Sequence, residues 1–190
     1  MRIKDDQKTE AIYKATLALI QQMGFGGITM AKIAKEAGIA TGTLYIYFKN
    51  KEELINSLYL HLKRKEASDL FENVNLNDPL KVLLKQVFVN ALKGMISASA
   101  EMVFMEQYYR SPYIEKAVHT EAIQLLEPLF TIIERGKKEH LIKDINIELI
   151  MAYVVGGICE FAAVIQHKEV VLDDVNIDTM FAMLWDGIKS

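Results

Sequence analysis

Thr41, Gly42, Thr43, Tyr45, Ile46 and Tyr47 stand together in the stretch GIATGTLYIYFKNKEEL, residues 38–54, and Lys51 lies near its end. Threonine and tyrosine hydroxyls donate to phosphate oxygens, isoleucine and threonine methyls can meet the methyl of thymine, and glycine lets backbone approach closely. Lys51 adds a charge that seeks phosphate. The chemistry on offer is recognition of a polyanionic groove, with no covalent step. Yet residues 43–48 are β-branched, aromatic or aliphatic, types that fit a pleated strand, and Gly42 is a poor helix former. The residues on both sides read as helix, so the stretch is either a lone strand in a helical protein or a helix imposed from outside its own propensity.

Elsewhere the residues that could do chemistry are scattered. Glu106, His119 and the pair Glu139 and His140 resemble acid–base groups, but no nucleophile, metal set or phosphate loop lies at useful spacing from them. No catalytic residue, no metal and no cofactor is expected. The four histidines have no cysteine partners for zinc, and the single Cys159 has no disulfide mate, which implies a reducing compartment. Cys159 itself reads as a small buried apolar residue. The N-terminal MRIKDDQKTE lacks the apolar core of a secretory signal, so a cytoplasmic location is expected. Residues 149–159 form the most apolar run, interrupted at Glu160 and short of the roughly 20 residues that span a bilayer. That run reads as a buried helix.

A recognition stretch needs elements to hold it. With three prolines and ten glycines in 190 residues, breakers are few and long helices are the economical reading. Of the 22 Lys/Arg and 25 Asp/Glu, residues 1–66 hold 11 and 7, leaving 11 and 18 for residues 67–190. A basic head and an acidic body put only the head against a polyanion. Ile12, Ala15, Thr16, Leu19, Ile20 and Met23 recur at helical spacing as far as Gly24. Thr29 can cap a helix over MAKIAKEAG through its side-chain oxygen, and Gly38 ends it. Asn50, with Glu53 as capping-box partner, opens a helix striped by Leu54, Leu58 and Leu62. Asp78 and Pro79 open another, Pro128 kinks or breaks a helical pattern that starts near residue 113, and two final helices are predicted near 146–166 and 174–188.

A short helix capped by Thr29, a glycine turn at Gly38 and a second short helix over about residues 41–48 have the anatomy of a helix-turn-helix. On a helical wheel Leu44 and Phe48 face inward towards Ile33 and Ala37, Gly42, Thr43 and Ile46 point away, and Tyr45 and Tyr47 flank the inward face. ITMAKIAKEAGIATGTLYIYFKNKEEL, residues 28–54, resembles the helix-turn-helix of the tetracycline-repressor (TetR) family of bacterial transcription regulators. The core Gly-Thr-Leu-Tyr-x-Tyr-Phe-Lys-x-Lys carries that resemblance most specifically. It is close over roughly the first 65 residues and beyond them is a matter of helical layout.

The resemblance implies an all-α fold of about nine helices, with an N-terminal three-helix helix-turn-helix DNA-binding domain over residues 1–50 and a C-terminal helical ligand-binding and dimerisation domain over residues 51–190. It implies that Thr29 holds a phosphate, that Thr41, Gly42, Thr43 and Tyr45 face the major groove, that Tyr47 reaches a phosphate, and that Lys51 clamps the DNA backbone. The chain departs at Ala40, where family members usually place a capping serine, and at Thr41, often a lysine. A lost cap and a lost charge make a modest DNA affinity the expectation.

In the second half, Phe88, Met95, Phe104, Tyr108 and Tyr153, together with Met102, Met105 and Tyr109, suit either an apolar pocket for a lipophilic small molecule or ordinary core packing. IELIMAYVVGGICEFAAVIQ is apolar nearly all round, and Met180, Met183, Leu184, Trp185 and Ile188 form a stripe after it. A homodimer through these last two helices is expected, because reading a pseudo-palindrome needs two heads about one DNA turn apart, ~34 Å. The function implied is a sequence-specific transcriptional regulator of double-stranded DNA, a repressor released from its operator by a small apolar or amphipathic effector. It involves no enzyme activity and no membrane. An alternative of another class is a helical small-molecule sensor or carrier that acts through protein partners and keeps a vestigial head.

Overall fold

The computed structural model describes residues 6–97, 99–113 and 115–190. The side chains of Met102 and Glu106, both singled out above, lie outside the described residues. Ten helices and no strand occur among those residues: α1 (Asp6–Gly27), α2 (Met30–Glu36), α3 (Thr41–Tyr47), α4 (Lys51–Leu70), α5 (Leu80–Ser97), α6 (Ser99–Tyr109), α7 (Lys116–Gln124), α8 (Glu127–Lys138), α9 (Ile147–Gln166) and α10 (Asp174–Ile188). The tenth arises where Pro128 falls in the first turn of α8, so the pattern from residue 113 is broken into two helices and not kinked.

Local chemistry sets the helix ends. Gly24, at φ 65°, takes the chain out of helical geometry near the end of α1. Gly38, at φ 67°, closes α2: its own N–H reaches the Lys35 carbonyl at 3.1 Å and that of Ile39 reaches Ala34 at 2.9 Å, the paired bonds of a Schellman ending. Asn50 Oδ1 accepts from the Glu53 N–H at 2.7 Å at the start of α4, and Asn146 and Asp173 cap α9 and α10 in the same way. The Glu53 carboxylate accepts from Lys49 N–H, one residue before the cap, instead of from the cap itself.

The chain forms two compact units, Met1–Lys63 with Ser99–Ala122, and Arg64–Ala98 with Ile123–Ser190. In the first, Leu54, Leu58 and Leu62 of α4 are buried together with Ile12, Ile20 and Ile33, and α6 packs against α1. Phe25 meets Phe104 edge-on at 5.5 Å, and the Phe25 N–H donates to Gln107 Oε1 at 3.1 Å. Tyr108 is fully buried, stacks on Tyr59 at 4.2 Å and donates its hydroxyl to Asn56 Oδ1 at 2.6 Å. Asn56 Nδ2 in turn donates to Glu115 at 3.0 Å.

Burial, with the charges of Glu115 and Tyr109 adding to it, pushes the Tyr108 phenol from 10.0 up to about 12. The folded chain therefore holds a proton that the unfolded chain releases first, so the stability contributed is complete below pH 10 and is lost as pH rises through 12. Thermal midpoints recorded from about pH 8 to pH 11 should fall at the alkaline end, and Tyr108→Phe should flatten that fall. An unchanged slope in the variant would remove Tyr108 as its source.

In the second unit α5 packs on α9, and α9 on α10. A Cβ on Gly157 would come within 2.6 Å of Leu184, and one on Gly136 within 2.6 Å of Ile142, so glycine sets the close approach at both places. The expected burial of residues 149–159 is not what the chain shows. Helix α9 buries Ile150, Ile158 and Ala162, whereas Leu149, Tyr153 and Val155 are exposed. Helix α5 and α10 cover one face of α9, and its apolar character continues round to a face that no described element covers. By length and composition α9 could cross a membrane.

Candidate nucleic-acid interface

Helices α2 and α3 have seven residues each, too short to be stable alone, so their geometry comes from packing. Ile33 and Ala34 of α2 and Leu44 of α3 are buried in one core, with Phe48 just past the end of α3. The opening conflict is resolved in favour of a helix. The Thr29 side chain accepts from Lys32 N–H at 3.2 Å and caps α2, whereas Ala40 gives α3 no side-chain cap.

The exposed arc of α3 consists of Thr41, Gly42, Tyr45 and Ile46, with Ile46 68% exposed and Tyr45 51%. Thr43 is half-buried, and Tyr47 is half-buried against the core. The wheel thus placed Gly42 and Ile46 as found, while Tyr45 lies further out and Thr43 further in. No neighbour lies within 4 Å of where a Gly42 Cβ would be, so the backbone there is open to a ligand. Thr29 is exposed at the start of α2.

Lys51 is more engaged than a surface clamp. Its ammonium donates to the carbonyls of Phe25 at 2.9 Å and Ile28 at 3.4 Å, and lies 5.4 Å from the Tyr113 ring centre. It ties the start of α4 to the end of α1 and the loop that follows it. Lys32, Lys35 and Lys49, passed over in the sequence, are exposed around the helix-turn-helix, and Lys32 also donates to the Gly27 carbonyl at 2.7 Å. Their signal was available: Lys32 and Lys35 are three apart, on one side of α2.

The five candidate ligand contacts do not form one site. Phe104 and Tyr108 are stacked in the core of the first unit, at 5.8 Å. Phe88 is buried in the second unit against Phe181, and Met95 is half-buried there, its sulfur 3.7 Å from Cys159 Sγ. Burial raises the half-buried Cys159 thiol above its ordinary range, with Glu160 and Glu66 adding to the shift, which disfavours the thiolate. Tyr153 is exposed on α9, its hydroxyl donating to the Met183 carbonyl at 3.3 Å. A groove of about 370 Å³ lies between α9 and α10, lined by Phe161, Val164, Val170, Met180 and Met183 among others. None of the five candidates lines it.

Among the described residues no group of three His, Cys, Asp or Glu is placed to hold a metal ion. Glu139, one of the acid–base candidates, lies 3.8 Å from the Arg135 Nε.

Residues 12–58 match the family model described as "Bacterial regulatory proteins, tetR family". Over 55 residues the chain is 46% identical to an uncharacterized HTH-type transcriptional regulator of Haemophilus influenzae, a match covering 29% of this chain and 29% of that protein. The chain spans less than half the length of the first curated relatives it matches. Over its full length it superposes on a TetR family transcription regulator from Marinobacter aquaeolei VT8 with a TM-score of 0.91, at 22% identity and 100% coverage of both chains. The transcriptional regulator FadR from Bacillus subtilis, solved in complex with stearoyl-CoA, shares the fold at a TM-score of 0.70 and 21% identity, with 94% of this chain and 98% of that one covered.

Proposed function

We propose that the chain, whose residues 12–58 match the model of the tetR family of bacterial regulatory proteins, is a member of that family and a sequence-specific DNA-binding transcriptional regulator, a homodimeric repressor released from its operator by a small apolar or amphipathic ligand. The observation that carries the reading is the α2–turn–α3 unit, with Leu44 and Phe48 buried behind an outward arc of Thr41, Gly42, Tyr45 and Ile46. That arc enters the major groove, with Thr43 at its edge, while Thr29, Tyr47 and Lys51 hold phosphates. Residues 1–50 act as the DNA-binding head and residues 51–190 as the ligand-binding and dimerisation body. The protein works in the cytoplasm.

Two copies join through α9 and α10. Leu149, Tyr153, Gly156 and Glu160, at i, i+4, i+7 and i+11, are exposed on α9, and Val175 and Met183 are exposed on α10. Among these only Glu160 is charged, and an exposed apolar surface of this kind marks an interaction site. A second copy is the occupant that a two-headed reader of a pseudo-palindrome requires.

For the effector, the support is the fold. FadR of Bacillus subtilis, solved in complex with stearoyl-CoA, shares this fold, which favours an amphipathic ligand here. Phe88 and Met95 serve as contacts in the body, methionine being the side chain that adapts most readily to a new shape. The ligand acts by binding more tightly to a conformation whose two heads are wrongly spaced for adjacent grooves, and it can shift the equilibrium only by that difference in affinity.

The test is selection of a random duplex library by the purified protein at a fixed, near-physiological salt concentration. Recovery of a pseudo-palindrome is expected, and absence of enrichment would point instead to a sensor acting through protein partners. A local check uses Tyr47→Phe and Lys51→Ala, each of which should weaken binding to all duplexes alike. An ammonium has three donors and the two carbonyls take two of Lys51's, leaving one for phosphate. Lys51→Ala should therefore reduce the salt slope by about 0.9, and an unchanged slope would leave Lys51 as a structural tie alone.

A further inference from the structure

Resting on the reading of α3 as the recognition helix, we infer that it discriminates base pairs through the methyl groups of thymine, with Ile46 as the specificity-determining residue, and that its half-site core is rich in A·T pairs. Major-groove discrimination by hydrogen bonds falls to a few side chains: arginine or lysine on guanine, asparagine or glutamine on adenine, aspartate or glutamate on cytosine. Helix α3, from Thr41 to Tyr47, contains none of the six. Its only polar groups are the hydroxyls of two threonines and two tyrosines. A hydroxyl gives and accepts equally well, so it pairs with either kind of base edge and separates them poorly.

What α3 does present is an apolar tip. Ile46 is 68% exposed, and the other members of its arc, Thr41, Gly42 and Tyr45, carry no charge. The C5-methyl of thymine is the apolar mark in the major-groove code, so it is the group against which Ile46 can lose water. Gly42 shares the arc and has no Cβ, and the space beside it is open, which lets the helix seat deeply enough for a short side chain to reach the base edges. Lys32, Lys35 and Lys49 stand off the recognition helix, the first two on α2, the helix that crosses the DNA backbone in this motif. They fall to phosphates and leave the base reading to α3.

The test begins from the operator recovered in the duplex selection. Each thymine is replaced in turn by deoxyuridine, which removes the methyl and nothing else, and binding is measured with the full chain. At one or more thymines in each half-site, affinity should fall about 4-fold, and about 15-fold when both half-sites are changed. Ile46→Ala should bind the thymine and deoxyuridine duplexes equally. Ile46 is exposed, so the variant tests contact and not folding. Full affinity for every deoxyuridine duplex, with loss on replacing guanine by 7-deazaguanine, would overturn the inference while leaving DNA recognition intact. A selection that enriches no duplex would overturn the DNA-binding reading and this inference together.

Discussion

Replacing Val175 and Met183 together by glutamate will leave the chain monomeric and lower its affinity for the operator by about 100-fold or more. Val175 is 74% exposed and Met183 59% exposed in the single chain, so a carboxylate at either place disturbs little within the protomer. Across a two-fold interface the same substitutions act four times, burying charges without partners beside the apolar faces of α9 and α10. Gly156 is exposed with open space around it, which permits close approach of another helix at the centre of that face. In the proposed homodimer, loss of the second copy removes one of two heads, and with it the high effective concentration at which the second half-site is met, an advantage of about 10²–10⁴. Sedimentation velocity and operator titration on the double variant decide the matter. A dimer of normal affinity would show that some other surface joins the heads.

Which parts of this architecture can be read from the chain, and which cannot, follows from the range of the forces involved. Helix ends are decided within a few residues: the Thr29 cap, the Gly38 ending, Asn50 with Glu53, and Pro128 all act locally, and the spans 146–166 and 174–188 read from periodicity agree with Ile147–Gln166 and Asp174–Ile188. The head was legible for the same reason, since Leu44 and Phe48 have to face Ile33 if so short a helix is to exist at all. Partners distant in sequence leave no such mark. Gln107 satisfies the N–H of Phe25 from 82 residues away, Tyr108 and Asn56 are 52 apart, and Lys51 takes up a carbonyl 26 residues back. Helix α9 shows a different limit. Apolar composition on every side says that a helix will be covered, but not whether its own chain or another copy covers it.

The second large effect is expected at Leu44. Helix α3 has one buried residue, and it is Leu44, fully enclosed, while the rest of its sequence is drawn from strand-forming types with a glycine at the second position and no cap at the first. Nothing local holds it helical. Leu44→Ala therefore removes the tertiary contact that overrides propensity, at a cost of about 2–5 kcal/mol for a filled core position of this kind. Because a seven-residue helix has almost no stability of its own, the deficit concentrates in α3. Amide exchange in residues 41–48 should become fast at temperatures where α9 and α10 remain protected, and operator binding should be lost although Leu44 touches no DNA. Ile46→Ala, on the exposed side of the same helix, should leave exchange unchanged. If Leu44→Ala kept slow exchange and full binding, the helix would have to owe its shape to Phe48 alone, and packing through Leu44 would no longer explain why this strand-like sequence is a helix.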